Sequence, residues 1–424
     1  RLTATTESVR DALRARVLVR GDDMTTAGFD SQRLARVSAL VDRYVAEGKL
    51  AGAQVQVAHR GEVALRHTVG RADVASDRPL GDDAIYRIYS MTKPITSIAL
   101  MQLYEQGRVL LEDPVSAYIP EFAEMQVFTG GTPTAPKVRP AQTVMTVKDV
   151  LTHASGLTYG FFFQNNLDAM YREDGLGNFE LPDYTLEEGM RRLAAKPLAF
   201  DPGTAWNYSM STDVCGRLVE VISGMGLDEY FAEHITGPLG MADTAFHVPA
   251  DKVHRFTSNY QLTPEDPLAT FDAFDASPYL SPPVFLSGGG GLVGTVDDYQ
   301  RFVDMLLNGG ELDGRRIIGR KTLEYMTINH LPEGKTLNEL GQSLFSEAVM
   351  EGMGFGLGFS TLVDPARNGA VSSGGEFAWG GAASTAFWVD PAEEITCVFM
   401  TQLMPSRSYP LRRELKATVY QALR

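Results

Sequence analysis

Between residues 29 and 48 the apolar side chains Leu34, Val37, Leu40, Val41, Tyr44 and Val45 recur every three or four positions, ahead of a stop at Gly48. That period puts them on one face of a helix. The pattern then shortens. Residues 53–58 and 62–68 alternate or run apolar on either side of Arg60-Gly61, which predicts a β-hairpin. Residues 90–106 return to the helical period, with Ile95, Ile98, Ala99, Leu103 and Tyr104 at core spacing and Gly107 in the place of a C-terminal stop. From about 108 to 285 the pattern predicts helical pieces divided by long loops, clearest over 145–152, 185–195 and 211–223. Strands are predicted again over 356–361, 384–389 and 396–401, followed by an amphipathic helix over 411–423.

A helix and hairpin at the front and strands and a helix at the back bracket a helical middle. The expected fold class is α+β: an antiparallel sheet flanked by the terminal helices, with a mostly helical domain inserted. Residues 1–95 and 286–424 are expected to form the discontinuous sheet domain and 96–285 the helical one, with the active site in the cleft between them.

Composition narrows the function. The 424 residues are 44% apolar and 21% charged, ordinary for a folded soluble chain. Lys and Arg number 38 against 53 Asp and Glu, a net charge of −15 with no basic block. A nucleic-acid partner or a polybasic membrane anchor would need the opposite balance. No apolar run approaches the roughly 20 residues of a membrane span. Cys215 and Cys397 sit in apolar stretches and read as small buried hydrophobes, too few for a disulfide framework. None of the seven histidines has metal-ligand spacing with another, and no cofactor is called for. The cytoplasm is the expected compartment; a cleaved export signal stays open because the chain lacks an initiator Met. Oligomeric state is left open.

Three segments carry chemistry. Ser90-Met91-Thr92-Lys93 stands where a loop becomes a long apolar helix. A helix start offers unpaired N–H groups and the positive end of the dipole, and residues three apart share a face, so Lys93 can act on the Ser90 hydroxyl. In Pro202-Gly203-Thr204-Ala205-Trp206-Asn207-Tyr208-Ser209 a Pro-Gly turn and flanking aromatics present Tyr208, whose phenol can relay a proton if the fold brings it to a Ser–Lys pair. Trp379-Gly380-Gly381-Ala382 leads into a strand, where two glycines allow a ligand close to the backbone.

In order along the chain come Ser90-Met91-Thr92-Lys93, Leu111-Glu112-Asp113-Pro114-Val115, Leu151-Thr152-His153-Ala154-Ser155-Gly156-Leu157, Pro202-Gly203 to Tyr208-Ser209, and Ser287-Gly288-Gly289-Gly290-Gly291-Leu292. This order resembles the serine β-lactamase/penicillin-binding-protein superfamily in its class C-like branch, over roughly residues 30 to 420. Tyr208-Ser209 and Trp379-Gly380-Gly381 look like the family VIII carboxylesterases. Class C β-lactamases carry Tyr-x-Asn, where this chain has Met210, and Lys-Thr-Gly, where it has Trp379. Losing that cation removes a charge-assisted hydrogen bond to a substrate carboxylate, about 1.5–3 kcal/mol, and turns the site towards neutral, apolar esters.

The resemblance implies a serine carboxylesterase that hydrolyses short-chain acyl esters of small molecules, with some cephalosporin hydrolysis surviving. Ser90 attacks the carbonyl, Lys93 and Tyr208 move its proton, and the N–H groups of Ser90 and Ala382 hold the oxyanion. We favour neutral Lys93 as base with Tyr208 as relay over an ionised Tyr208. Trp379, Gly380, Gly381, Met210, Tyr159 and Phe161 are the expected substrate contacts, with Phe162 and Phe163 either beside them or in ordinary packing. The alternatives are an acyltransferase using a small-molecule alcohol, a β-lactamase or D-amino-acid peptidase, and, least favoured, a penicillin-binding sensor without turnover. Ser372 in Ala370-Val371-Ser372-Ser373-Gly374 is a rival nucleophile by motif, but it lacks the first glycine of Gly-x-Ser-x-Gly and any surrounding βαβ series. His153 is expected to be a structural, hydrogen-bonded histidine, and the glycine run 288–291 to let backbone pass beneath the cleft.

Overall fold

The computed structural model describes residues 25–341 and 350–424; the polar stretch before Phe29 lies almost wholly outside the described residues. Helix α1, Ser31–Ala46, begins at Asp30, whose carboxylate accepts the Arg33 N–H at 3.1 Å. The hairpin follows as β1, Gly52–His59, and β2, Glu62–Asp73, with the short β3, Arg78–Pro79, beyond it. The remaining strands of the same sheet arrive nearly three hundred residues later: β4 Met353–Phe355, β5 Ser360–Leu362, β6 Phe377–Gly380, β7 Ala386–Asp390 and β8 Ile395–Thr401.

All eight strands pair antiparallel in the order β4-β5-β6-β7-β8-β1-β2-β3. The two ends of the chain meet at β8 and β1, with Ile395 opposite His59 and Thr401 opposite Ala53. Side chains alternate across each strand. Ile395, Cys397 and Phe399 of β8 turn to α1 and the last helix, α7 (Leu411–Tyr420), packing with Val37, Val41, Leu415 and Val419. Val398 and Met400 turn the other way, into the larger core with Phe302 and Val303 of α6, Val296–Leu307.

Helix α2, Thr92–Glu105, is buried from Thr92 to Leu103 and packs against α5, Ser211–Ser223. It is buried all round, the polar Lys93, Thr96, Ser97 and Gln102 included. Two shorter helices, α3 (Val147–Leu151) and α4 (Leu186–Ala194), fall where the helical period predicted them.

Three expectations need correction. The strand read over 356–361 is a chain reversal: β4 ends at Phe355, Gly356 N–H donates to Phe359 O at 2.7 Å, and β5 starts at Ser360. Leu357 and Phe359 are buried in that turn, so the apolar alternation runs on through the reversal and hides it. The helical middle also contains a hairpin, Gln126–Thr132 with Ala135–Pro140, whose Gly- and Pro-rich sequence reads as loop. Finally, Trp379-Gly380 lies inside strand β6, and the turn comes after it, at 381–385.

Candidate active site

Ser90 sits in a single 3₁₀ turn, Tyr89–Met91, that runs directly into α2, rather than at the start of the α-helix itself. In such a turn the N–H of the second residue has no partner of its own. Tyr89, just before it, has φ +42°, a left-handed conformation costing a non-glycine residue roughly 1–3 kcal/mol. The surrounding packing holds it: the Tyr89 hydroxyl accepts from Asn259 Nδ2 at 3.0 Å, and its ring meets Phe179 edge-on at 6.1 Å.

Lys93 lies one turn on and is only 1% exposed. Its Nζ donates to Ser90 Oγ at 3.2 Å and to Gly289 O at 2.5 Å. The rings of Tyr208 and Tyr159 lie 4.6 and 5.4 Å from the nitrogen. Tyr208, carried on the loop before α5, donates its hydroxyl to Ser90 Oγ at 2.6 Å. Ser90 Oγ is thus held by both Lys93 and Tyr208.

Trp379 completes the set from β6: its Nε1–H donates to Tyr208 Oη at 3.3 Å, and the rings lie 5.3 Å apart. At the position where the lactamase pattern has a cation, this chain has a neutral donor, aimed at the Tyr208 oxygen. Ala382 follows in the turn after β6, and Ser90, Ala382, Gly380, Gly381, Met210, Tyr159 and Phe161 line one cavity of about 290 Å³. Phe162 is buried in packing against Tyr159 and Phe161, whereas Phe163 is 74% exposed with the Arg172 guanidinium 3.9 Å from its ring.

The loops beneath are tied by buried polar contacts. Ser209 and Ser211 share a hydrogen bond of 2.7 Å, as do Ser155 and Ser211, and Asn207 Nδ2 donates to Leu157 O at 2.8 Å. His153 is buried, with Nδ1 3.2 Å from Ser209 Oγ and its ring 4.9 Å from that of Tyr208. Desolvation, with Lys93 beside it, pushes the His153 pKa well below the usual 6.5. The folded protein therefore keeps His153 neutral where the unfolded chain would protonate it. The stability this contributes is present above pH 6.5 and is lost as pH falls below it, by about 1.4 kcal/mol per pH unit at most. The melting temperature at pH 5 relative to pH 7.5 is expected to fall less in His153→Gln than in the parent; an equal fall in both would refute this.

Four residues escaped the sequence reading. Asp213, five residues after Tyr208, is fully buried, accepts from Ser287 Oγ at 2.6 Å and Gly289 N–H at 3.1 Å, and so fixes the loop whose carbonyl holds Lys93. Burial raises its pKa, while Ser287 and Lys93 pull it back. An acidic residue in the first turn of the helix that follows Tyr208 was the available signal. The glycine run leaves the space expected of it: a Cβ at Gly288 would stand 2.7 Å from Thr212 O and one at Gly289 2.7 Å from the Asp213 carboxylate. Phe179 and Phe271 extend the aromatic wall, in a row Tyr208–Tyr159 (5.3 Å), Tyr159–Phe161 (4.5 Å, stacked), Phe161–Phe179 (4.6 Å, stacked) and Phe179–Phe271 (6.2 Å). No local pattern marks these two. The fourth, Arg412 in α7, comes from the far end of the chain.

Ser372, the rival nucleophile, bonds to Glu376, Asp390 and the Tyr420 hydroxyl. No lysine, arginine or histidine nitrogen among the described residues hydrogen-bonds its oxygen. Among these residues no cluster of three or more His, Cys, Asp or Glu could hold a metal ion, and no helix is long and apolar enough to cross a membrane.

The chain matches the family described as Beta-lactamase over residues 37–421. It is 33% identical to Protein Rv1367c of Mycobacterium tuberculosis over 364 residues, 85% of this chain and 88% of that protein. It is 30% identical to Esterase EstB of Burkholderia gladioli over 416 residues, 94% of this chain and 98% of that one. Among solved structures it is similar to EstCE1, a hydrolase with promiscuous acyltransferase activity, with a TM-score of 0.77, 25% identity, and coverage of 92% of this chain and 99% of the other.

Proposed function

The chain belongs to the β-lactamase family, and from that premise we propose that it works as a carboxylesterase of the family VIII type, hydrolysing short-chain acyl esters through an acyl-enzyme on Ser90. The observation that carries this reading is the neutral Trp379 N–H on the Tyr208 hydroxyl. It gives the phenol oxygen a donor without supplying a cation for an anionic substrate, and so favours a neutral ester over a lactam or peptide carboxylate.

In the reactive form Lys93 has given up its own proton and takes the one from Ser90 Oγ as the oxygen bonds to the ester carbonyl. The resulting oxyanion is held by the N–H groups of Ser90 and Ala382. On collapse the C–O bond to the alcohol breaks, Tyr208 gives its proton to the departing oxygen, and Lys93 returns one to Tyr208 through the Ser90–Tyr208–Lys93 cluster. Water then enters by the same steps in reverse order and releases the acid. Gly289 O keeps the lysine nitrogen in place throughout.

The active site, on this reading, lies between the sheet domain, 1–95 with 286–424, and the helical domain, 96–285, with α2 passing from one to the other. We place the protein in the cytoplasm, where its two buried, unbridged cysteines would stay reduced. The test is a p-nitrophenyl acyl series from two to twelve carbons with a chromogenic cephalosporin alongside. Turnover concentrated on short acyl chains with slow lactam cleavage is expected; cleavage of lactams or D-peptides without ester turnover would overturn the reading.

The aromatic row supports a second reaction from the same acyl-enzyme, transfer to an apolar alcohol bound along Phe161 and Phe179 in place of water. Phe179→Ala is expected to raise KM for an ester with an aromatic alcohol about two- to twelvefold, the equivalent of ~0.5–1.5 kcal/mol for an aromatic pair, and to leave methyl acetate unchanged. An equal change for both esters would exclude the row as a binding surface.

A further inference from the structure

The Ala382 N–H belongs to the peptide unit whose other end is the Gly381 carbonyl. Because a trans peptide is planar, the two point in opposite directions, and whatever fixes the carbonyl fixes the N–H. Gly381 O accepts from Arg412 Nη2 at 2.9 Å and closes the turn by accepting from Ser384 N–H at 3.1 Å. The same Arg412 nitrogen donates to Thr385 O at 2.8 Å, and Thr385 O also accepts the Gly381 N–H at 2.9 Å. One guanidinium nitrogen from α7 thus clamps both carbonyls of the turn.

The two glycines make room for this clamp. A Cβ at Gly380 would stand 2.6 Å from Arg412 Cζ, and one at Gly381 would stand 2.5 Å from Ile88 O, two residues before the nucleophile. Trp379-Gly380-Gly381 therefore lets the arginine in on one side and brings the turn against the Ser90 segment on the other. Ala382 itself lines the cavity beside Ser90.

We infer that Arg412 is a positioning residue for ester hydrolysis: it holds the Gly381–Ala382 peptide plane so that the Ala382 N–H faces the reacting carbonyl, and it strengthens that donor by drawing charge onto the Gly381 oxygen. A hydrogen bond from a charged donor is about twice as strong as a neutral one, and bonded amides polarise one another. Oxyanion donors act through being aimed before charge develops, so the contribution lies in the transition state and not in substrate binding. The inference rests on the oxyanion assignment proposed above.

The test compares Arg412→Met and Arg412→Lys with the parent, using p-nitrophenyl acetate and phenylboronic acid, whose tetrahedral adduct on Ser90 would place an oxygen in the hole. In Arg412→Met, kcat is expected to fall roughly 10- to 100-fold, less than the ~10²–10³-fold loss of a whole oxyanion donor because the N–H itself remains, with KM changed less than threefold. Boronate affinity should fall by the same factor as kcat, and Arg412→Lys should recover part of both. If Arg412→Met does not fold, Arg412→Ala supplemented with millimolar guanidinium, read the same way with and without the ion, replaces it. A kcat and boronate affinity within twofold of the parent, or a KM rise at constant kcat, would overturn the inference. Ser90→Ala separates the two levels: if it still turns over esters, the nucleophile assignment fails, whereas an inactive Ser90→Ala beside an unaffected Arg412→Met refutes only the role of Arg412.

Discussion

Replacement of Ser90 by Ala is expected to reduce ester turnover by at least about 10⁴-fold, the scale seen when a covalent nucleophile is removed. Ser90 Oγ is held by the Tyr208 hydroxyl at 2.6 Å and Lys93 Nζ at 3.2 Å. Binding should survive, because the aromatic row and Met210 are untouched, so the variant should trap an ester in the cleft without cleaving it. Ser372→Ala serves as the control. Its hydroxyl is tied to Glu376 and Tyr420, and its loss is expected to leave turnover within about twofold of the parent, as for most changes outside a site. Activity that persists in Ser90→Ala and disappears in Ser372→Ala would reverse the assignment.

The second large effect is expected from Tyr208→Phe, a loss in kcat of roughly 10²–10⁴-fold, the usual contribution of a positioned proton-transfer group. The ring remains, so its packing against Tyr159, His153 and Trp379 is kept and the fold should be unaffected. What disappears is the proton offered to the leaving alcohol. An ester with a good leaving group needs that proton least, so p-nitrophenyl acetate should be affected much less than ethyl acetate. A loss of the same size for both would show that Tyr208 acts as the base on Ser90 and not as the relay to the leaving group. A loss below about threefold for both would remove Tyr208 from the proton path.

Much of this molecule was present in local sequence pattern. The helices over Ser31–Ala46 and Ser211–Ser223, the hairpin about Arg60-Gly61 and the Ile395–Thr401 strand all follow from periods of 3.6 and 2 with turn residues between. Those periods reflect which side of an element faces the core, and they fail where both sides do. The 353–362 hairpin was missed for that reason, since Leu357 and Phe359 in its turn are as buried as the strands they join. The Gly- and Pro-rich hairpin near 126–140 failed in the opposite sense: it is largely exposed and carries no apolar alternation to read.

At the site, the chemical groups are legible in the chain's local order: a serine three residues before a lysine at the entry to a buried helix, a tyrosine after a Pro-Gly turn, and a tryptophan before two glycines. That order also determined the shared face of Ser90 and Lys93, because helical spacing requires nothing beyond the local chain. Only the tertiary structure decided which groups meet across 118 residues from Ser90 to Tyr208, or 171 from Tyr208 to Trp379. It alone set Asp213 under the glycine loop, aligned Phe179 and Phe271 with Tyr159, and brought Arg412 to the Gly381 carbonyl. These contacts depend on pairing strands from opposite ends of the chain and on the burial that follows, and no window of neighbouring residues records that closure.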